Sequence, residues 1–537
     1  NRNIRTPDDA RRFIKASLSD LRPPFSIKDM EAAVGRIYTA LTHAEKILIF
    51  SDYDVDGITS TVLLLEFLRQ IGADVSYYIP DRMNEGYGLQ PSHITEYVLP
   101  NQIDLIITAD CGMGSHTAIE AARDQGVDVI VTDHHQPSQR LPPAVAVINP
   151  NRIDCTAGFE ELAGVGVAYT LLICLRKYLR QKGFWQNRPE PNLIHFCDLV
   201  ALGTIADMVP LRRENRIFVK AGLDKINSSP RIGIAAMRAS SGTHKDFLTA
   251  EDVAFQIAPR LNAPGRMAHA AAAVDLLLSN NLTEATRFCK TINQMNDVRR
   301  ETEQKILEDI SDYLSQNRFF LKRSSLILSE KDWHEGVLGI VASRLAKRYF
   351  RPVGLISIKD GMGKGSARSI PGLELHKALS AVSDHLEKFG GHTMAAGFTI
   401  KPDKIESFKT KFEQTVKEMT RAEDFTPKLI IDCELNFDQI SDGLVNEIES
   451  LEPFGTGNRE PLFTANAIKV VSEKIVGQNH RRMQLAQSPS GKRFNAIQFN
   501  VDPTQPLPGF FDRIAYRIRW NRWNGRQIMQ IIIEDSQ

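Results

Sequence analysis

No CxxC pair occurs in this sequence, and its six cysteines, Cys111, Cys155, Cys174, Cys197, Cys289 and Cys433, lie far apart. That spacing excludes a zinc ribbon and a disulfide framework, and points to reduced thiols in a cytoplasmic protein. Long apolar runs are missing as well. The stretch around Leu171 to Leu175 is cut by Arg176 and Lys177 well before it could cross a bilayer, so no membrane helix is expected. Excess charge of either sign is also lacking: 66 Lys and Arg against 65 Asp and Glu leave a formal net charge of +1. A nucleic-acid partner therefore has to be argued from local sites. Internal repeats and low-complexity tracts are absent. The chain opens on Asn1 with NRNIRTPDDARRF, which has no apolar signal region and reads as the start of a trimmed chain.

What is present is a long chain with alternating patterns. At 537 residues it exceeds one ordinary hydrophobic core. From Lys46 short β-rich runs (KILIF, VSYYIP, IDLIITAD, VDVIVTD, AVAVINP) alternate with helical segments, one after Gly57 and one from Ser115 to Asp124. This predicts an α/β fold, a doubly wound parallel sheet. Between Leu282 and Glu335 there is neither Gly nor Pro, which predicts a long linking helix of about 50 Å. A second α/β region follows with SLIL, PVGLISI, GKGSARS and a helix near Leu373 to Leu386, and ends near Ile400. Beyond a polar stretch from Lys401 to Lys428, five runs (PLFTANAIKVV, RRMQLAQ, RFNAIQF, RIAYRIRW, QIMQIIIE) predict a C-terminal OB-like β-barrel. The boundaries expected are an N-terminal helical segment at 1–45, a first α/β domain at 46–282, a connecting helix at 283–316, a second α/β domain at 317–425 and the barrel at 426–537.

Polar residues gather just after the strands, where open α/β sheets place their ligand crevice. DYDVDG sets Asp52, Asp54 and Asp56 at alternating positions, the next strand ends in TAD at Asp110, and the one after ends in TDHH, with Asp133, His134 and His135. An acidic turn capping the next helix would account for DYDVDG alone. Three successive strands delivering acids and imidazoles to one sheet edge point instead to a metal. Oxygen donors with imidazole suit Mn²⁺ or Mg²⁺. Farther on, DLVALGTIADMVPL carries Asp207.

DYDVDG, TDHH, LAGVGVA, ALGTIADMVPL, PRLNAPGR, WHEGVLGIVASRLAKRY, GKGSARS and KFGGHTMAAG, in this order, resemble the DHH phosphoesterase superfamily and, within it, the RecJ family over nearly the whole chain. The resemblance implies a DHH catalytic domain, a DHH-associated substrate-binding domain and a two-metal centre. Its ligands would be Asp54, Asp56, Asp110, His134 and Asp207, with Asp110 bridging, and with Asp52 and His135 beside them. It also implies a single-stranded-DNA-specific exonuclease working 5′ to 3′ in recombination and repair, cutting phosphodiesters by two-metal hydrolysis. One departure is Ser51, where the family usually has Gly; it removes no ligand.

Groups suited to phosphate oxygens are Arg260, Asn262 and Arg266 of RLNAPGR, and Lys364, Ser366, Arg368 and Ser369 of GKGSARS. Surface ion pairing is the plainer reading of each arginine. GMGKGS lacks the GxxxxGK[ST] spacing of a P-loop, which excludes ATP hydrolysis on that motif. His392 of GGHTMAAG belongs to a region that RecJ relatives use to grip nucleic acid. Arg82 and Tyr87 of DRMNEGYG are candidates for a terminal 5′-phosphate. In the barrel, Arg517, Arg519, Trp520, Arg522, Trp523 and Arg526 interleave cations and indoles as a strand-binding surface would, unless the tryptophans anchor the barrel core. Single-stranded DNA is the expected partner, with a single-strand-binding protein and a helicase as candidate collaborators, no membrane, and a monomeric chain. Two other readings stay open: a DHH phosphodiesterase for short oligonucleotides or cyclic dinucleotides, and a non-catalytic replication scaffold, against which the intact ligand set argues.

Overall fold

The structure, a computed structural model, describes residues 2, 4–137, 140–242, 245, 247–477, 479–487, 491–504, 508–523 and 526–537. Strands β1 (Lys46–Ser51), β2 (Asp74–Tyr78), β3 (Leu105–Ala109), β4 (Asp128–Thr132) and β5 (Ala146–Ile148) form one sheet in the order β2-β1-β3-β4-β5. All four pairings are parallel. Helices α1 (Met30–His43), α2 (Val55–Gln70), α3 (His116–Asp124) and α4 (Gly164–Gln181) cover it. Alternation along the strands divides the apolar side chains between two cores. Ile47, Ile49, Leu105 and Ile107 join α1, α2 and α4, while Leu48, Phe50, Ile106 and Val131 join α3. Strands buried on both faces read as continuous apolar runs, which is why KILIF and DLIITA carry so little polarity.

The strand order places a topological switch between β1 and β3, from which connections run to opposite sides and open a crevice at the carboxyl ends. Register sets the height of that crevice. Ser51 pairs with Ala109 and Ala109 with Thr132, so Asp52, Asp110 and Asp133 leave the sheet at one level. Helix α2 begins at Val55, ahead of the expected start at Gly57, because the Asp54 side chain accepts hydrogen bonds from the Asp56 and Gly57 amides as an N-cap. Helix α5 (Cys197–Ala206) packs against α2 with all but its last residue buried, and Asp207 follows it directly.

Helix α6 (Leu282–Gln316) runs 35 residues from an Asn281 cap. It leads to a second sheet, β6 (Leu326–Lys331), β7 (Val353–Lys359), β8 (Met362–Arg368), β9 (Lys388–Gly391) and β10 (Ala395–Ile400), in the order β6-β7-β8-β10-β9. Helix α7 (Glu335–Tyr349) packs on this sheet. Two details differ from the sequence reading. The helix expected near Leu373 to Leu386 is only Leu375–Ser380. The polar stretch beyond Ile400 holds helix α8 (Ile405–Met419), whose Ile405, Phe408, Phe412 and Val416 enter the same core. Its Lys and Glu residues dominate the composition, yet the buried stripe follows the 3–4 spacing of an amphipathic helix.

The remaining residues build the barrel. Strands β12 (Phe463–Val476), β13 (His480–Gln487), β14 (Arg493–Gln498), β15 (Phe510–Trp523) and β16 (Arg526–Ser536) close in the order β12-β13-β14-β16-β15, with β15 returning to β12. The short β11 (Cys433–Glu434) adds to β12, and helix α9 (Asp442–Ser450) supplies Val445 and Ile448 to the barrel core. The barrel is tied to the first domain by buried polar contacts. The Leu211 amide donates to the Thr456 carbonyl at 2.7 Å, and the fully buried Arg216 guanidinium donates to the Phe13 and Glu452 carbonyls at 2.7 Å each. Among the described residues no helix is long and apolar enough to cross a membrane.

Candidate metal centre

Backbone donors hold the carboxylates after β1 and β4. After β1, Asp52 accepts from the Tyr53 amide at 2.8 Å, and Asp54 is spent in part on the α2 cap. Asp56 points across to α4, whose first two amides, Gly164 and Val165, donate to its oxygens at 2.6 and 2.8 Å. A helix N-terminus favours a carboxylate there. After β3, Asp110 has φ +59°, left-handed backbone that an L-residue enters only at a cost. Its side chain packs so closely on α4 that a Cβ at Gly164 would lie 2.6 Å from Asp110 Oδ1. After β4, Asp133 Oδ1 accepts from the His134 amide (2.8 Å), the His135 amide (3.0 Å) and His135 Nδ1 (2.7 Å), while Oδ2 accepts from the Met113 amide.

These groups converge. His134 Nε2 lies 3.2 Å from Asp110 Oδ1, 3.6 Å from Asp207 Oδ2 and 3.9 Å from Asp56 Oδ2. His134 Nε2, Asp110 Oδ1 and Asp207 Oδ2 are all buried, yet none has a hydrogen-bond partner among the described residues. Three orphaned acceptor-type atoms within one small volume are costly unless something cationic sits between them. Three ligand groupings meet a metal's reach: Asp56, His134 and Asp207; Asp52, Asp54 and Asp110; and Asp110, His134 and His135. Asp110 is common to two of them. The donors are oxygen and imidazole, a set suited to Mn²⁺ or Mg²⁺. The nearby Cys111 donates to the Phe50 carbonyl, and burial pushes its thiol well up, so it offers no thiolate.

The electrostatics agree with a site that expects positive charge. Burial, then the charge of Asp54, raises Asp52 to about 8 and Asp56 to about 7, and burial with four neighbouring aspartates lifts Asp110 far above the carboxylate range. The two histidines are driven apart. Burial and the adjacent imidazole lower His134 to about 4, leaving it neutral as a ligand must be. Burial also opposes charge on His135, but the hydrogen bond and charge of Asp133 prevail and raise it to about 9. Ser51 does what a glycine there could not. Its hydroxyl lies 2.7 Å from the Gly57 carbonyl and 2.9 Å from that of Asp52, pinning the strand end to the first turn of α2.

Around this cluster stand groups from both α/β domains. The Tyr87 hydroxyl is 3.5 Å from His135 Nδ1, and the Arg82 guanidinium lies over the Tyr53 ring at 5.0 Å. His392, from the second domain, stacks on His135 with centroids 5.6 Å apart. Arg266 donates to the Gly336 carbonyl, and Arg368 donates to Ser366 Oγ and the Ala367 carbonyl. Neither arginine has an ion-pair partner among the described residues, and burial with the charge of Arg82 lowers both to about 10. Lys364 is already paired with Glu335 at 2.9 Å.

Several expected phosphate contacts have other work. Asn262 Oδ1 accepts from the Val55 amide at 3.0 Å and so supports the start of α2. Arg260 braces α6 through Asn293 and donates to the Gln256 carbonyl. The Ser369 hydroxyl is buried and donates to the Leu373 carbonyl at 2.7 Å, closing a turn. In the barrel, Arg519 pairs with Glu460 and Glu251, Arg522 with Glu449 through both oxygens, and Arg517 with Glu460 and Glu534. Trp520 donates its indole N–H to Asn446 and packs on the barrel core. The Trp523 side chain lies outside the described residues. Sequence reasoning missed the supporting parts: Asp133 as the holder of His135, the α4 amides on Asp56, and Glu85. Glu85 accepts from Tyr78 Oη and lies 2.8 Å from His93 Nε2 while also accepting from the Asp81 amide, so it fixes the loop that carries Arg82 and Tyr87. The run of small residues in LAGVGVA was the available signal for the close approach of α4.

Comparison with known proteins agrees with this architecture. Residues 46–204 match the DHH family N-terminal domain, residues 322–418 the DHHA1 domain and residues 431–535 the RecJ OB domain. The single-stranded-DNA-specific exonuclease RecJ of Salmonella typhimurium is 36% identical over 100% of this chain and 94% of its own length. Its Bacillus subtilis counterpart is 35% identical over 100% of this chain, which spans 66% of that longer protein. RecJ of Thermus thermophilus in complex with Mn²⁺ superposes with a TM-score of 0.81 at 29% identity, over 98% of this chain and 74% of that one; its Mg²⁺ complex gives 0.75 at 28% identity, over 98% and 72%.

Proposed function

Because the chain belongs to the RecJ family, we propose that it hydrolyses single-stranded DNA from the 5′ end, releasing mononucleotides, in DNA recombination and repair. The observation that carries this reading is the trio of buried ligand atoms without hydrogen-bond partners among the described residues, on Asp110 and His134 where strands β3 and β4 end and on Asp207 just after helix α5. Asp54, Asp56, Asp110, His134 and Asp207 would hold two divalent cations, Mn²⁺ or Mg²⁺, with Asp110 shared between them. When bound, such a pair supplies an activated water and charge stabilisation at the phosphorus undergoing in-line displacement.

The chain's own groups do the rest. His135 keeps Nδ1 engaged by Asp133 and has Nε2 left for a phosphate or leaving oxygen, while His392 covers the ring from the opposite domain. Arg368 and Arg82, with Ser366 and Tyr87, supply cationic and hydroxyl donors for the terminal 5′-phosphate, and Arg266 adds an unpaired guanidinium beside Asp54. Arg260 and Asn262 act one step back, by bracing α6 and α2. The closed barrel favours a long strand over a cyclic dinucleotide as substrate. We infer also a cytoplasmic monomer to which a helicase or single-strand-binding protein delivers the strand.

A product ladder from end-labelled single-stranded DNA, with Mn²⁺ or Mg²⁺, tests the reading. Mononucleotides shed from the 5′ end are expected. Release from the 3′ end, or internal cutting, would overturn it.

A further inference from the structure

Phe255 is 75% exposed, though it lies in an apolar stretch where its neighbours Val253 and Ile257 are buried. The three residues belong to a π-helical turn, Val253–Ile257, a distortion that recurs at functional sites. The turn lies in a continuous helical run with anchored ends. Two residues before it, Glu251 pairs with Arg519 of the barrel at 2.6 Å. After it the run continues through Ala258–Leu261 to Asn262, which holds the Val55 amide beside Asp54. Seven residues separate Phe255 from Asn262, about 10 Å of helical rise. The exposed ring therefore stands between the barrel contact and the candidate metal centre.

The surroundings are cationic. Arg260, five residues on, is held down by burial and by the charge of Arg300. Arg299 is held down by burial, against the opposing charge of Glu303 and with Arg344, Arg300 and Arg260 near it, and Arg266 feels Arg82, Arg299 and Arg368 as well as Asp54. Glu303, buried between Arg299 and Arg344, pairs with both at 3.0 and 2.9 Å, so these arginines outnumber the acids among them and leave the stretch from the metal centre to the foot of the π-turn net cationic, which suits a polyanion. A bare aromatic ring beside such a track complements a nucleobase, because every base offers a π-face whatever the sequence.

We propose that Phe255 is a stacking platform for a base of the single strand, a few nucleotides inside its 5′ end, on the path from the barrel to the metal centre. The proposal rests on the single-strand reading above. 2-Aminopurine walked along an oligonucleotide and bound to the full chain in EDTA should be quenched at one or two positions. Phe255→Ala should abolish that quenching, and with metal present should raise KM on a long strand about 5- to 100-fold. Its kcat on a trinucleotide should stay within about twofold, since stacking reaches no reacting atom. Phe255→Trp should restore both the quenching and KM, and Phe255→Leu should not. An unchanged quenching profile in Phe255→Ala, or full rescue by Leu, would overturn the stacking role. Failure of the wild-type chain to bind or cut single strands would instead overturn the underlying reading, and this proposal with it.

Discussion

The imidazole rings of His135 and His392 lie 5.6 Å apart and within 20° of parallel, one on the first α/β domain and the other on the second. The contact brings a loop of GGHTMAAG directly over a strand end of the parallel sheet. A substrate phosphate reaching the carboxylates there is therefore enclosed by both domains, and each makes its own testable contribution.

Asp110 is the carboxylate common to two ligand groupings, so Asp110→Ala should disable both. Losing an outer partner of a metal ligand costs roughly 10–100-fold in affinity or activity, and losing a shared ligand should cost more. Hydrolysis is expected to fall by well over about 100-fold, while single-strand binding measured in EDTA persists. Turnover near the wild-type rate would contradict the shared role.

The metal-free protein should lose stability as pH rises. Asp52 and Asp56 titrate at about 8 and about 7, above the ordinary 3.8 of the unfolded chain. Raised values mean that the contribution is complete below the ordinary value and is lost as pH climbs through 7 to 8. The raised value of His135, about 9, acts in the same direction. Thermal melts in EDTA should therefore drop by several degrees between about pH 6 and about pH 9, and saturating Mn²⁺ should flatten the curve by neutralising the carboxylates. A melting temperature independent of pH in EDTA would count against the crowded-carboxylate account.

Arg368 and Ser369 should separate cleanly, though they are adjacent. Among the described residues Arg368 has no carboxylate partner, so Arg368→Ala should raise KM about 10- to 100-fold, as loss of a charge-assisted contact does. Ser369 spends its hydroxyl on the Leu373 carbonyl, so Ser369→Ala should cost about 1 kcal/mol of stability with steady-state constants little changed. Steady-state kinetics together with denaturant melts decide between the two patterns. A reversed outcome would exchange their roles.

Removing the residues after Thr426 should lower affinity for long single strands and reduce processivity, while hydrolysis of short oligonucleotides stays measurable, since every proposed ligand precedes that point. The truncated chain should also be less stable, because Arg216 loses the Glu452 carbonyl and Leu211 the Thr456 carbonyl. Gel-shift titrations and product-length distributions check the first part, and melts check the second. Unchanged processivity would deny the barrel a guiding role.

Much of the candidate centre could be read from the chain because strand ends announce themselves. KILIF, DLIITA and DVIVT are short apolar runs, and each is followed within two residues by an aspartate, so sheet order alone brings the ligands to one edge. Asp207 was different. It follows a helix, and only the packing of α5 on α2 carries it to His134. The arginines of the barrel mark the limit of composition as a guide. Their alternation with tryptophan looks like a strand-binding surface, but Glu251, Glu449 and Glu460 come from distant positions to pair with them.

The sequence by itself determined the parallel sheet, the long helix, the barrel and the residue types at the metal edge, because each follows from local periodicity of 2 or about 3.6 and from where an apolar run stops. Only the tertiary structure decided which polar groups remain unspent. A side chain's hydrogen-bond partners are set by what packs against it, so Ser366 and Ser369, three residues apart in one short motif, have different fates. The same holds for Asp133, whose four hydrogen bonds orient His135 and leave the carboxylate no ligand role of its own. Partnering of buried polar atoms is a property of three-dimensional proximity, and no pattern along the chain encodes it.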